Sequence, residues 1–277
     1  MKIQILGSGQ DAGIPQIGCY CPTCKRARRY KRYRRLGPSI ALLDKGKGYC
    51  YLIDASPDIK YQIDMLKKED ITIKRKGKLP ISGILLTHAH LGHCSGLWYF
   101  GREATEERNL PVFCTSKMRQ FLIDNYPFNL LIRRKNIKIK EVFQGKAFKI
   151  SGIKCIPIEV PHRNEIADTV GYRIQSQKNV LYISDVDYWT DKVIEEIDNV
   201  DIAIIDGTFY SKYELPRFRY VPHPPIEETI KLLEHSKTKI YFTHINHSNP
   251  INWNRKEKKY IKGKGFHSAF DGLVLNI

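Results

Sequence analysis

The feature that most constrains the fold of this chain is a cluster of three histidines directly behind an apolar run. Residues 84–86 are Ile-Leu-Leu, which predicts a buried strand, and residues 87–93 read T-H-A-H-L-G-H. Side chains repeat every second residue along a strand, so His88 and His90 point the same way, and His93 returns from the following turn. Imidazole is a common ligand of zinc and related metals. The cluster therefore predicts a metal site at the end of a strand.

Length and composition fit one folded domain over residues 1–277. The chain is 42% hydrophobic, which is enough for a substantial core. It contains no apolar run of about 18 residues, the length that a membrane-spanning helix needs. Its first residues read as a strand entering a turn and lack the apolar region of a signal peptide. We therefore expect a cytoplasmic protein with no membrane partner.

Three of the seven cysteines lie close together, at Cys19, Cys21 and Cys24. In a cytoplasmic chain such clustering favours metal binding over disulfides. A structural zinc takes four nitrogen or sulfur ligands in a closed tetrahedral site, so this zinc-knuckle loop, around residues 19–24, needs one more ligand. The other cysteines lie singly in apolar surroundings and are predicted to be buried: Cys50, Cys94, Cys114 and Cys155.

The charge balance is strongly basic, with 46 lysines and arginines against 29 acidic residues and a net charge of +17. The basic residues occur in runs at 25–35, 74–76, 133–135 and 255–264. Such a surface attracts anions, so it favours an anionic small molecule, a nucleotide-like substrate or a nucleic acid as partner. A solvated face without a specific partner explains the charge equally well. Composition leaves the oligomeric state open.

Strand and helix signals alternate through the whole chain. Runs rich in Val, Ile and Tyr, bounded by turn residues, predict strands at 2–6, 39–43, 49–53, 83–86, 112–114, 153–158, 169–174, 180–183, 202–205, 239–242 and 272–275. Helical periodicity is present at 25–36, 58–67, 117–126, 190–198 and 226–234. The mixture predicts an α/β fold in which two packed sheets are flanked by helices.

Several of the predicted strands end in side chains that bind metals. Asp54 and Asp185 each follow an apolar strand, and two histidines close other strands, His162 and His244. Taken singly, each is an ordinary turn residue. Together with the histidine cluster they imply that strand ends converge on one site.

The order of these residues resembles the five motifs of the metallo-β-lactamase fold superfamily: Asp54, the cluster at 88–93, His162, Asp185 and His244. Within it, the chain looks most like the coenzyme PQQ biosynthesis protein B family, through G-S-G-Q-D-A-G-I-P-Q at 7–16, C-Y-C-P-T-C at 19–24 and the segments 55–59, 184–187, 206–210 and 244–250. It is also similar to a cyclic-phosphate phosphodiesterase of phosphonate metabolism, which shares the cysteine cluster and the His-x-x-His ending. The resemblance implies an αββα sandwich of two mixed β-sheets with the active site along one edge.

Two metal sites at that edge follow from the resemblance. The residues it assigns are, for the first site, His88, His90 and His162, and, for the second, His93 and His244, with Asp185 bridging the two. Asp54 is expected to accept a hydrogen bond from a ligand histidine and so fix its tautomer. Zinc, manganese and iron all suit these ligands, as one ion or two.

The chain departs from the family in the histidine cluster. The family pattern is His-x-His-x-Asp-His, and Gly92 stands in place of the aspartate. Members of the protein B family usually have a degenerate cluster, whereas this chain keeps all three histidines. Losing the carboxylate removes one ligand and one negative charge, so a single ion or a weakly bound second ion is expected. Asp187 and Asp206 are candidates to supply a carboxylate instead.

The fourth ligand of the cysteine-bound zinc also comes from the resemblance. In the phosphodiesterase the second histidine of His-x-x-His has this role, which corresponds to His247, and His223 is the alternative. His223 precedes a helix in a proline-rich loop. It has two further interpretations, as a general acid or substrate contact and as a loop residue without a chemical role.

Three functions fit these residues. The first is a hydrolase of a phosphodiester or similar anionic ester, in which a metal supplies hydroxide at neutral pH, Asp185 orients it and His223 protonates the leaving group. The second is an iron-dependent oxygenase like PQQ biosynthesis protein B, acting on a tyrosine-containing peptide or PQQ precursor. The third is a nucleic-acid-binding protein on a hydrolase scaffold, which the basic run around Tyr30 and Tyr33 favours and the retained histidines oppose.

Overall fold

A computed structural model describes residues 1–67, 77, 79–214 and 221–277. The strands in these residues are β1 (Lys2–Gly7), β2 (Ser39–Asp44), β3 (Tyr49–Ile53), β4 (Gly83–Leu85), β5 (Leu110–Cys114), β6 (Ile137–Glu141), β7 (Phe148–Ile150), β8 (Ile153–Glu159), β9 (Val170–Gln175), β10 (Asn179–Tyr182), β11 (Ile202–Asp206), β12 (Lys239–Thr243), β13 (His267–Ser268) and β14 (Val274–Asn276). The helices are α1 (Pro22–Arg29), α2 (Ile59–Lys67), α3 (Leu91–Cys94), α4 (Ser116–Asp124), α5 (Phe128–Arg133), α6 (Asp191–Asp198), α7 (Ile226–Leu233) and α8 (Arg255–Gly263).

The strands form two mixed sheets of seven strands each. The first has the order β14-β1-β2-β3-β4-β5-β6, in which β3 to β6 run parallel and β14 to β3 pair antiparallel. The second has the order β13-β12-β11-β10-β9-β8-β7, in which β10 to β13 are parallel and the rest antiparallel. The predicted pair of mixed sheets is therefore confirmed.

Successive side chains along the central strands point to opposite faces of the sheet, and this alternation produces the layers. On β2, Ile40 and Leu42 pack between the sheets with residues of β9 and β11, whereas Ala41 and Leu43 join the apolar cluster under α2, α4 and α5. On the other side, α6, α7 and α8 cover the outer face of the second sheet. The result is the predicted αββα sandwich. Cys50, Cys94, Cys114 and Cys155 are fully buried in these layers, as expected.

The sequence misplaces one helix and misses others. The helix predicted at 25–36 is the shorter α1, because Cys21 caps its start, Pro22 occupies its first turn and the backbone becomes extended at Tyr30. The sequence also gave no signal for β6, β7, β13, α3, α5 and α8. The basic run at 74–76 lies outside the described residues. None of the helices described is long and apolar enough to cross a bilayer.

Candidate metal centre

The carboxyl ends of strands from both sheets open on one edge of the sandwich. Asp54 follows β3, His162 follows β8, Asp185 follows β10 and His244 follows β12. Asp54 and His244 have left-handed backbone conformations, with φ of 68° and 58°. Such strain in residues other than glycine is concentrated at functional sites. The backbone at this edge therefore has the strained conformation that is common at functional sites.

A first group of ligand atoms comes from His88, His90 and His162. His162 Nε2 lies 3.3 Å from His90 Nδ1, and the three ring centroids are 4.6 to 5.1 Å apart. Burial lowers the pKa of His88 well below its usual value, which keeps this imidazole neutral. Neutral imidazole is the form that binds a metal. The structure thus brings together the three histidines assigned to the first site.

A second group consists of Asp11, His93, Asp185 and His244. His93 Nε2 lies 3.1 Å from Asp11 Oδ1 and 3.2 Å from Asp185 Oδ2. Asp185 Oδ1 lies 3.2 Å from His244 Nε2 and 3.8 Å from His162 Nε2. Asp185 therefore stands between the two groups, where the resemblance placed a bridging residue.

Four of these histidines are oriented through Nδ1. Each has a hydrogen-bond partner at 2.7 or 2.8 Å: Thr87 for His88, Asp54 for His93, Asp187 for His162 and Thr208 for His244. Partners of this kind fix the ring and direct Nε2 toward the centre. Asp54 thus has the contact that the sequence predicted for it.

The donor set fits metal ions by a direct structural criterion. Among the described residues, three buried ligand atoms lack a hydrogen-bond partner: His88 Nε2, His93 Nε2 and Asp185 Oδ2. Buried polar atoms are normally satisfied, so each orphan needs an explanation. Burial raises the pKa of Asp185, but the charges of His244 and the other histidines outweigh it and keep the carboxylate ionised. Cations bound by the two groups would satisfy all three atoms.

The two carboxylates suggested as replacements at Gly92 contact other side chains, although Asp206 also groups with His223 and His244. Asp187 Oδ1 is bonded to Nδ1 of His162. Asp206 accepts from the backbone of Val186 and lies 2.6 Å from His223. The carboxylate that lies near both His93 Nε2 and His244 Nε2 from outside the predicted set is that of Asp11, which sequence reasoning missed because three strands separate it from the histidine cluster.

His223 lies beside the second group, on its Asp206 side. Its ring centroid is 5.6 Å from that of His162 and 5.7 Å from that of His244. Burial opposes protonation of His223, but the charge and hydrogen bond of Asp206 outweigh it and raise the pKa of the imidazole to about 9. The imidazole of His223 groups with Asp206 and His244, whereas the cysteines group with His247.

Ligand residues of both groups, together with His223, line an open cleft of about 220 Å³. Its walls are polar: Gln10, Asp11, His90, His162, Arg163, Glu165, Asp185, His223 and His244. A polar lining suits a charged substrate better than an apolar one.

The cysteine cluster forms a separate group with His247. His247 Nδ1 lies 3.4 Å from Cys21 Sγ and 3.6 Å from Cys19 Sγ. Burial raises the pKa of the Cys24 thiol to about 12, whereas backbone and His247 hydrogen bonds overcome burial at Cys21 and bring its pKa to about 6. Without a cation, a thiolate at one cysteine makes it harder for the neighbouring thiol to lose its proton. A zinc ion would hold all of the cysteines as thiolates.

Comparison with known proteins agrees with this geometry. A family model described as "Beta-lactamase superfamily domain" matches residues 49–245. The chain belongs to the beta-lactamase superfamily. Among curated members similar to it, coenzyme PQQ synthesis protein B of Nitrosococcus oceani is 29% identical, with 99% of each chain covered. The protein of the same description from Rhizobium meliloti is 26% identical, over 100% of this chain and 98% of the relative.

Solved structures of the beta-lactamase superfamily show the same fold. Zinc-bound PqqB from Methylobacterium extorquens has a TM-score of 0.85 at 24% identity, and both chains are fully covered. A diphosphatase from the PhnP family has a TM-score of 0.74 at 27% identity, over 99% of this chain and 96% of that chain. The expected superfamily and fold are confirmed, and both the fold and the donor atoms support bound metal ions.

Proposed function

We propose that the chain is a metal-dependent hydrolase of phosphodiesters or similar anionic esters. The observation that carries this proposal is the position of Asp185 between two histidine groups in one open cleft. Two cations held by residues that share Asp185 would suit displacement at phosphorus, a reaction in which two-metal sites stabilise both the attacking and the leaving oxygen.

The residues that would hold the cations are those of the two groups. His88, His90 and His162 would hold one, and His93, His244 and Asp185 would take part in holding the other. Zinc, manganese or iron, when bound there, supplies hydroxide at neutral pH and offsets the developing negative charge. Asp185 accepts a hydrogen bond from the attacking water and sets its direction.

His223 is the residue we propose as proton donor to the leaving oxygen. Asp206 holds Nδ1 at 2.6 Å, so the second proton of the imidazolium is on Nε2, and the ring lines the cleft. A positioned acid of this kind contributes most when the leaving group is a poor one.

The substrate we propose is an anionic, nucleotide-like ester. Arg163 lies at the mouth of the cleft, and the net charge of +17 favours arrival of anions over the whole surface. The polar lining of the cleft also suits a charged substrate better than an apolar one.

We also propose that Cys19, Cys21, Cys24 and His247 hold a structural zinc. The group is closed by four N and S donors, which is the composition of a structural zinc site. It ties the loop before α1 to the segment after β12.

Activity and metal content of the purified chain test the hydrolase proposal. We expect hydrolysis of bis-p-nitrophenyl phosphate by protein loaded with zinc or manganese, and loss of at least about 100-fold in His162→Ala. His235→Ala is the matched control, because this histidine is exposed beyond the end of α7. Full metal content with no turnover of phosphodiesters or cyclic phosphates would contradict the proposal.

A second candidate function is an iron-dependent oxygenase. It is favoured by full-length similarity to relatives described as coenzyme PQQ synthesis protein B. The same preparations, loaded anaerobically with Fe(II) and given oxygen and a tyrosine-containing peptide, separate the two functions. Peptide-dependent oxygen consumption without phosphodiester turnover would replace the hydrolase with the oxygenase.

A further inference from the structure

The loop after β1 is fixed in place beside the metal centre. Gln10 donates its backbone N–H to the carbonyl of Ile245, and Ile245 donates its own to Ser8. Gly9 donates to the carbonyl of Leu36. These bonds join the residues directly before Asp11 to Leu36 and to Ile245, which follows His244, and so hold Asp11 next to the second group.

The Asp11 carboxylate faces the ligand atoms of two histidines. Asp11 Oδ1 lies 3.1 Å from His93 Nε2 and 3.4 Å from His244 Nε2. Two ligand atoms at about 2.1 Å from one zinc ion, at the tetrahedral angle, are about 3.4 Å apart. The spacing of the three atoms is therefore that of donors to a common cation.

Gly92 leaves the space that Asp11 fills. A Cβ atom at position 92 would lie 2.4 Å from Asp11 Oδ1 and 2.5 Å from Asp11 Cβ. Cβ atoms essentially never come so close to other heavy atoms, so any side chain at 92 would displace Asp11. Only one of the two positions can present a carboxylate to His93 and His244.

We propose that Asp11 is a ligand of the second metal ion and that it replaces, from the N-terminal loop, the carboxylate that Gly92 lacks. The second site is then complete, with Asp11, His93, Asp185 and His244 as donors. This proposal deepens the metal centre of the proposed hydrolase, but it concerns metal binding and does not require a particular reaction.

Metal content of exchange variants tests this assignment. Wild-type protein, Asp11→Asn, Asp11→Gly and the double variant Asp11→Gly/Gly92→Asp are dialysed with the same limiting zinc, and bound zinc is counted by elemental analysis. The glycine at position 11 removes the Cβ that a residue at 92 would meet. Glu165→Gln is the matched control, because Glu165 lines the cleft outside the four-residue group.

We expect Asp11→Asn and Asp11→Gly to lose about one zinc per chain, or to bind it at least about 100-fold more weakly, while the other ions remain. The double variant is expected to regain it, and Glu165→Gln to keep it. Unchanged zinc content in both single variants overturns the proposal, as does a wild-type chain with a single ion in the cleft. Zinc loss and recovery without any phosphodiester turnover would support the ligand assignment and refute only the hydrolase.

Discussion

The role of His223 depends on a proton, whereas the role of the ligand histidines depends on a lone pair. Asp206 raises the pKa of His223 to about 9 against the effect of burial. At neutral pH the ring therefore carries the proton that a leaving oxygen needs.

This difference gives a prediction at the residue scale. His223→Ala should slow hydrolysis of an alkyl phosphodiester by about 100-fold or more, because an alkoxide leaves poorly without an acid. For p-nitrophenyl esters the loss should be less than about tenfold, because p-nitrophenolate leaves without a proton. Steady-state rates of the wild-type protein and the variant, measured on both substrates, give the two losses to be compared. Equal losses on both would show that His223 only shapes the cleft.

Sequence reasoning predicted most of the side chains that the structure brings together at this edge, but it did not include Asp11. The spacing of His88, His90 and His93 is itself a signal in the sequence, because one strand end and the turn after it place the three side chains together. Asp11 is brought to them by pairing of β1 with β2 and by backbone bonds to Ile245, which no local pattern encodes. The available signal was indirect: Gly92 in place of a carboxylate leaves a gap that another residue can fill.

At the scale of elements, the loop before α1 depends on its cysteines. We expect Cys21→Ser to lose one zinc and to lower Tm by about 5–10 °C, because a chain of this size loses roughly 2–4 °C per kcal/mol. Cys155→Ala is the control, since this buried cysteine lies on β8 away from the cluster. Zinc analysis and thermal unfolding measure both effects. Retained zinc with an unchanged Tm would refute the structural zinc.

The two sheets are joined by a buried hydrogen bond. Tyr172 on β9 donates its hydroxyl to the carbonyl of Leu86, which follows β4, at 2.7 Å. Tyr172→Phe should lower the free energy of unfolding by about 1–3 kcal/mol, because it leaves a buried carbonyl unsatisfied. Tyr51→Phe should cost less, because its partner Ser151 is exposed and water can replace the hydroxyl. Urea titrations compare the variants, and equal costs would contradict the explanation.

The sequence predicted the buried elements better than the peripheral ones. Central strands such as β2 and β11 each contain four consecutive apolar residues, I-A-L-L and I-A-I-I, so their composition is decisive. The edge strand β6 reads I-K-I-K-E and has three of its five residues exposed to solvent, which weakens the signal. Helix α8 was interpreted as a basic run because Ile261 is its only buried residue. Such peripheral elements depend on contacts with distant parts of the chain, which their own composition does not reveal.

The whole molecule carries a charge of +17, which acts on any anionic substrate before it reaches the cleft. We expect KM for bis-p-nitrophenyl phosphate to rise at least about threefold between about 0.05 and 0.5 M salt, because screening shortens the range of the attraction. A neutral ester measured in parallel should show no such dependence. Steady-state kinetics at several salt concentrations provide the comparison. Salt-independent KM values for both would show that the basic surface has no part in substrate capture.

The proposed zinc group also joins distant parts of the chain, since Cys21 and His247 are 226 residues apart. The three cysteines can bind zinc before the chain folds, but His247 reaches them only when both sheets have assembled. Metal bound by the unfolded chain reduces the stabilisation that the ion gives to the native state. The zinc–His247 bond closes a loop that runs from the cysteines to His247, and this bond must break before the two sheets separate. Zinc should therefore stabilise the protein mainly kinetically: it slows unfolding and leaves the folding rate almost unchanged.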